Sequence, residues 1–545
     1  MRPIVLAAAV LNLFCCVVSA AEEFSQPNIV FVYTDDHAYQ AIGAYGSQRG
    51  VTPQMDRLAA EGMIFTNCCV PNSICGPMRA VVQTGKYSHK NGFLVNEGGQ
   101  RFNPNQQTFP KLLQKAGYAT AIVGKWHLLC EATQGYDYSE VLIGQGPYFN
   151  PDMVRNGKRT SYKGYTTEII TRLSLDWLKN GRDKSKPFLL MCQHKATHRE
   201  WLPTPKYYNR FKDRTFPLPA TFWDDYAHRG RAALEQDMTI ADTLTPHDLK
   251  LDGPGANWTD EQKRDWHDMY DSRIAEYKAM IARKASEKEL AEWKYQCYLR
   301  DYLSVASAVD DSIGEITAYL KESGLDKNTI VVYSSDQGFY LGEHGWFDKR
   351  FMYEESFKTP LIVRWPGVIK PGQVNSRDIV SPLDFAETFL DAAGAKIPSD
   401  MQGASLIPIF RGERPADWRT AFYYHYYEYP AWHMVKKHEG IYDGRYKLIH
   451  FYDDIDEWEL YDLATDPTEL TNVLGDSKLT PVVERLKAEL LRQQTVLDVP
   501  KPLVRNQSFV DRGVDKTAPE YVQGFQRTVL KAIDKRKARK EAGEK

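Results

Sequence analysis

A chain of 545 residues, 43% hydrophobic and 26% charged, is long enough to bury a large core, and one big domain with a smaller companion is the simplest division. Its 69 basic and 71 acidic residues nearly cancel to a net charge of -2, so neither nucleic acid nor an anionic membrane surface is indicated as a partner. Affinity for an anionic ligand must therefore come from cations placed locally.

Residues 1–20 have the form of a secretory signal peptide: Arg2, a short apolar run from Ile4 to Val18, and the small residues Ser19 and Ala20. The run is too short for a comfortable membrane span, and no later segment resembles one. Export to a periplasm or the extracellular space is the expectation. Cys15 and Cys16 leave with the signal. Cys68, Cys69, Cys75, Cys130, Cys192 and Cys297 are then too scattered for a disulfide framework, though one pair could bridge, and none has zinc-finger spacing.

Pro27 to Tyr33 is an apolar run ending in Thr34-Asp35-Asp36-His37, the pattern of a buried parallel strand that delivers two carboxylates at its C-terminal end. Cys75-Gly76-Pro77-Met78-Arg79 follows, then Gln83-Thr84-Gly85-Lys86. Proline suits the first turn of a helix, and a helix starting at Pro77 would turn its N–H groups toward an anion. Tyr118 to Val123 is a second strand, delivering Gly124-Lys125-Trp126-His127. Phe188 to Cys192 is a third, ahead of Gln193-His194-Lys195-Ala196-Thr197-His198. Thr329 to Tyr333 is a fourth, running into Ser334-Ser335-Asp336-Gln337-Gly338, with Lys349 a little further on. Helical stretches at 167–179 and 302–322 alternate with these strands. The pattern predicts an α/β fold, a large mostly parallel sheet flanked by helices.

Residues 212–292 are charged, tryptophan-rich and helix-prone, and read as an insertion. Beyond Pro415 the composition turns to dense aromatics, with short alternating runs at 446–452 and 458–461 and a helical pattern over 481–495. A smaller antiparallel sheet covered by a helix is expected there. The divisions are a signal at 1–20, a main domain at 24–415, a C-terminal α+β subdomain at 416–500, and an extension with a charged tail at 501–545, of which Lys531 to Lys545 is expected to fray.

Asp35, Asp36, Asp336 and Gln337 are hard oxygen donors from two strand ends, a set that suits calcium better than zinc. Adjacent carboxylates at a buried strand end repel unless a cation is present. Lys125 and His127 alternate on an extended segment and so share a side. Taken singly, each lysine or histidine defaults to a structural or solvated role. Grouped behind strand ends with Arg79, His198 and Lys349, they can neutralise the oxygens of an anionic ester and protonate a leaving alkoxide.

The Cys75 motif, the two carboxylate-bearing strand ends, Gly124-Lys125-Trp126-His127, His198 and Lys349 stand in the order found in type I sulfatases of the alkaline phosphatase superfamily, which the chain resembles from about Pro27 to Leu470. The resemblance implies oxidation of Cys75 to formylglycine by a formylglycine-generating enzyme, and one calcium held by Asp35, Asp36, Asp336, Gln337 and the modified residue 75. It implies that Arg79, Lys125 and Lys349 grip the hydrated aldehyde and the sulfate, that His127 assists elimination, and that His198 protonates the departing alcohol. The mechanism implied is attack of the diol on sulfur, a covalent sulfoenzyme, and expulsion of sulfate. Met78 stands where the family usually has serine, and Gln83 where leucine is commoner.

Gly144 to Pro151, His198-Arg199-Glu200-Trp201 and the run from Tyr423 to Glu439 resemble exported sulfatases that act on sulfated sugars, the glucosamine-6-sulfatase-like and mucin-desulfating branch. A 6-O-sulfated N-acetylglucosamine-type sugar is the expected substrate, with Trp201, His433, Lys436, Lys437 and His438 as candidate contacts. Two other readings use the same residues: a phosphonate monoester hydrolase or phosphodiesterase on the same platform, or a carbohydrate-binding protein in which Cys75 stays a thiol.

Overall fold

The computed structural model describes residues 26–97, 100–504 and 507–541; the expected signal lies outside them. Among these described residues, fourteen strands form two sheets. The larger holds β1 (Asn28–Thr34), β2 (Met63–Phe65), β3 (Ala119–Gly124), β4 (Tyr138–Leu142), β5 (Asp152–Arg155), β6 (Lys158–Ser161), β7 (Phe188–Gln193), β8 (Thr329–Ser335), β9 (Leu361–Arg364) and β10 (Gln373–Asn375). Their spatial order is β10-β2-β9-β8-β1-β7-β3-β4-β5-β6. The central run β8-β1-β7-β3-β4 is parallel throughout.

Of these, β1, β3, β7 and β8 are fully buried, so each reads as a largely apolar run whose alternate residues serve opposite faces. On β1, Val30 and Val32 join one core, while Ile29, Phe31 and Tyr33 join the other. The first face is covered by the helices Thr166–Asp176 and Glu287–Glu322, through Ile170, Tyr298, Tyr302 and Val305. The second is covered by Cys75–Thr84, Phe109–Lys115 and Phe385–Ala392, through Val82, Phe109 and Phe389.

The smaller sheet is antiparallel, in the order β11 (Phe422–Tyr426), β12 (His438–Tyr442), β13 (Tyr446–Phe451), β14 (Glu457–Asp462). Leu486 and Leu490 of the helix Thr480–Val496 pack on it. The same apolar cluster takes in Met78 and Val81 of the Cys75 helix and the rings of Trp346 and Tyr353. The Cys75 helix thus lies between the two sheets, turning Ala80 and Val82 to the larger and Met78 and Val81 to the smaller.

Three expectations need correction. The helix after the cysteine motif starts at Cys75 itself, not at Pro77. The 212–292 stretch contains one long helix, Asp260–Ala282, and the start of Glu287–Glu322; most of 212–259 is irregular apart from two single-turn helices, held on the surface by aromatic anchors such as Phe216 and Phe222. From Lys531 the tail is not frayed where described: it continues the helix Glu520–Glu541, which docks through Val522 and Val529 and, within the tail itself, Ile533. The described residues include no helix long and apolar enough to cross a membrane. The six cysteines after residue 25 are all free thiols.

Candidate active site

Strand register builds the site. Thr34 pairs with Ser335 across β1 and β8, so Asp35 and Asp36 emerge beside Asp336 and Gln337. Gln193 closes β7 next to Tyr33 on one side and Gly124 on the other. The segments carrying Lys125, His127 and His198 therefore leave the same edge of the sheet. Oxygens of Asp35, Asp36 and Asp336 approach within 4.8 Å of one another, fully buried.

Arg79 ties these ends together. Its guanidinium donates to the carbonyls of Lys125 (3.0 Å) and Thr34 (3.2 Å), to Gln193 Oε1 (2.7 Å) and to Asp336 Oδ2 (3.1 Å). Being four residues into a helix, Arg79 lies one turn from Cys75, which opens that helix. Cys75 is 1% exposed, and Asn96 Nδ2 donates to its Sγ at 3.2 Å. Burial pushes the thiol up from its ordinary value, against the pull of Lys349.

Lys125 bonds the Asp35 carboxylate and Gln145. Lys349 Nζ lies 2.6 Å and 2.7 Å from the two oxygens of Asp36. Burial opposes the charge on both lysines. It carries Lys125 well below the usual lysine range, whereas Asp36 and Asp348 leave Lys349 raised. Burial likewise pushes Asp36 up to about 6 despite Lys349. His127 Nε2 is 3.2 Å from Gln145, and its Nδ1 has no hydrogen-bond partner. His198 faces Asp36 through Nε2 at 3.9 Å, while its Nδ1 donates to the Arg199 carbonyl at 2.6 Å. Burial lowers both histidines well below the ordinary value, with Lys125 adding to it.

Two buried oxygens in this cluster, Asp35 Oδ1 and Gln337 Oε1, accept no hydrogen bond. Buried polar atoms are almost always satisfied, so this pair marks a place where a cation fits. The donor set, carboxylates plus an amide oxygen, is that of a hard divalent ion.

The candidate sugar contacts divide. His433 stands beside the site, its Nε2 3.5 Å from Asp348 Oδ2. Lys437 is partly exposed and pairs with Asp453 at 2.6 Å, lining a separate cleft of about 380 Å³ with His89 and Tyr427. Trp201, Lys436 and His438 are interior. Trp201 packs among Tyr298, Phe339 and Phe347. Lys436 is locked to Asp454, Glu235 and Ser508. His438 begins β12 and is bonded to the Lys436 carbonyl and the Met352 N–H. None of the three offers a ligand any surface, because each completes a buried polar or aromatic network.

Residues the sequence left unmarked also converge here. Asn96 and Gln145 are lone polar residues in loops, with no spacing to single them out. Asp348 and Arg350 flank Lys349, and all three are less than a tenth exposed. Arg350 bonds Asp348 (3.0 Å), Tyr426 (3.2 Å) and Glu428 (3.2 Å). Three consecutive charges inside an apolar stretch were the available signal.

The Sulfatase family model matches residues 27–395, and that of the N-sulphoglucosamine sulphohydrolase C-terminal region matches 342–496. The chain belongs to the sulfatase family. Its members hydrolyse sulfuric esters and generally use a formylglycine and a metal ion. The chain is 50% identical over 495 residues to an N-acetylglucosamine-6-O-sulfatase of Bacteroides thetaiotaomicron, covering 87% of each. It is 28% identical to the human N-acetylglucosamine-6-sulfatase, over 72% of this chain and 66% of that one. A solved structure of a protein bound to its substrate D-glucosamine-2-N,6-O-disulfate superposes with a TM-score of 0.85 at 48% identity, covering 88% of this chain and 99% of the other. A phosphonate monoester hydrolase from Silicibacter pomeroyi matches with a TM-score of 0.65 at 21% identity, covering 86% of this chain and 96% of that one. At that identity the fold alone is shared.

Proposed function

We propose that this sulfatase removes sulfate from a sugar, with a 6-O-sulfated N-acetylglucosamine-type residue as its substrate, after export to a periplasm or the extracellular space. The observation that carries the reading is the convergence of Cys75, Arg79, three carboxylates and two lysines at one sheet edge. The half-identical N-acetylglucosamine-6-O-sulfatase supports the choice of sugar.

Calcium held by Asp35, Asp36, Asp336 and Gln337 would supply a Lewis acid toward the ester's oxygens. Residue 75, converted by a formylglycine-generating enzyme and hydrated, would supply one hydroxyl to attack sulfur and a second whose deprotonation expels sulfate. The chain's own groups do the rest. Arg79 fixes the sheet edge and holds residue 75 one helical turn away. Lys125 and Lys349 turn their ammonium groups from Asp35 and Asp36 toward the sulfate oxygens. Three carboxylates balance the cations Arg79, Lys125 and Lys349, so an arriving anionic ester requires added positive charge. His127 assists the elimination that expels sulfate, and Nε2 of His198, once protonated, delivers a proton to the leaving alkoxide. His433, Asp348 and Arg350 line the side on which the sugar would lie.

The test is the mass of the peptide spanning Cys75, from protein made alongside a formylglycine-generating enzyme, joined to sulfate release from a panel of sulfated amino sugars. A loss of about 18 Da at Cys75 with turnover of the 6-O-sulfated sugar is expected. A retained thiol and no sulfate released would overturn the reading.

A further inference from the structure

The helix Glu520–Glu541 returns to the site from outside both family matches. It packs on the single turn Trp432–Met434 over a small core of Tyr429, Met434, Phe509 and Val522. At this junction two large rings stay in solvent: Trp432 is 41% exposed and Tyr521 39%. Their centroids are 5.7 Å apart with planes inclined by 22°, and Phe525 backs Trp432 at 4.9 Å. A supported, stacked aromatic pair facing water is the kind of apolar surface that marks a binding site.

The pair is continuous with the candidate active site from two directions. Trp432 precedes His433, which is 6.0 Å from Phe525 and reaches Asp348, the neighbour of Lys349. Tyr521 is raised by burial and then by the nearby Glu97 and Glu428. Glu428 accepts from the N–H groups of Asn96 and Glu97 and pairs with Arg350, and Asn96 bonds Cys75. A sugar ring has one face of C–H groups and a polar rim, the match for aromatic rings with N–H and O–H tips.

We propose that Trp432 and Tyr521 form a stacking platform for the sugar joined to the sulfated one. The inference rests on the carbohydrate sulfatase reading above.

The test compares kcat/KM on 6-O-sulfated N-acetylglucosamine with that on a disaccharide bearing the same sulfated ring, using the matured full chain. The ratio of disaccharide to monosaccharide should exceed one, fall about tenfold in Trp432→Ala and Tyr521→Ala, and be largely kept in Trp432→Phe. A wild-type ratio of one, or a ratio unmoved by both alanines, overturns the platform. Calorimetric titration with the unsulfated disaccharide reads the platform without turnover. Binding weakened at least about fivefold by Trp432→Ala supports it, and equal affinity overturns it. If neither sulfated substrate is hydrolysed while that binding still depends on Trp432, the sulfatase reading for this sugar fails and the platform stands.

Discussion

The Arg79 guanidinium donates to groups at the ends of β1, β3, β7 and β8, spending four hydrogen bonds on the sheet edge that carries the acidic cluster. A lysine keeps the charge but cannot span four acceptors. Arg79→Lys should lower kcat/KM by about 10²–10³ and stability by about 3 kcal/mol, read from sulfate release and thermal melts. His198 makes a different claim, since a proton donor matters most for a poor leaving group. His198→Ala should lose about 10²–10³ in kcat on a sugar sulfate but less than about tenfold on an activated aryl sulfate. Equal losses on both would show that His198 does not protonate the alcohol. Met78 replaces the family's usual serine and lies fully buried in the core between the Cys75 helix and the smaller sheet. Met78→Ser should therefore destabilise the chain by about 2–4 kcal/mol, measured by denaturant unfolding.

At the scale of elements, the helix Phe385–Ala392 carries Glu387, buried beside Asp384 and accepting from the Gly403 N–H at 2.6 Å. Burial, with Asp384 adding to it, pushes Glu387 up to about 8. Because the folded state prefers the protonated acid, this group's stability is present below its unfolded value near 4.5. It is lost as pH rises toward 8. Glu387→Gln cannot ionise. Its melting temperature should pull ahead of wild type between pH 5 and pH 8.5 by an amount worth a few kcal/mol, and a pH-independent gap would refute the assignment. β1, β3, β7 and β8 were legible because strands buried on both faces leave largely apolar runs ending in polar residues. β12 was not: His438-Glu439-Gly440-Ile441-Tyr442 has no apolar alternation, because its polar residues are bonded to buried neighbours, Met352 of the main domain and Tyr423 of the smaller sheet among them. The same masking made Lys436 and His438 look like ligand contacts. The carboxylates were legible from adjacency, whereas Asn96 and Gln145 depend on loop paths that no spacing encodes.

For the whole molecule, the core around Met78, Trp346, Leu448 and Leu486 joins the smaller sheet to the Cys75 helix, whose other face covers the larger sheet, and makes the two interdependent. Calorimetry should show one cooperative transition, and a fragment of 416–545 alone should not fold. Calcium at about a hundred times its dissociation constant should add about 2.7 kcal/mol to that transition, reversed by chelation. Asp35→Asn with Asp336→Asn should abolish the calcium response. A melting curve indifferent to both calcium and chelator would remove the metal from the site.

The seating of Cys75 also dictates an order of events in time. At 1% exposure, under Asn96 and at the head of a helix wedged between two sheets, its sulfur is beyond reach of any second enzyme once folding closes over it. On the reading proposed above, in which Cys75 is converted by a formylglycine-generating enzyme, that oxidation must therefore win a race against folding. Slowing the closure of the Cys75–Thr84 helix would raise the fraction of active molecules, and hastening it would leave well-folded, inert ones.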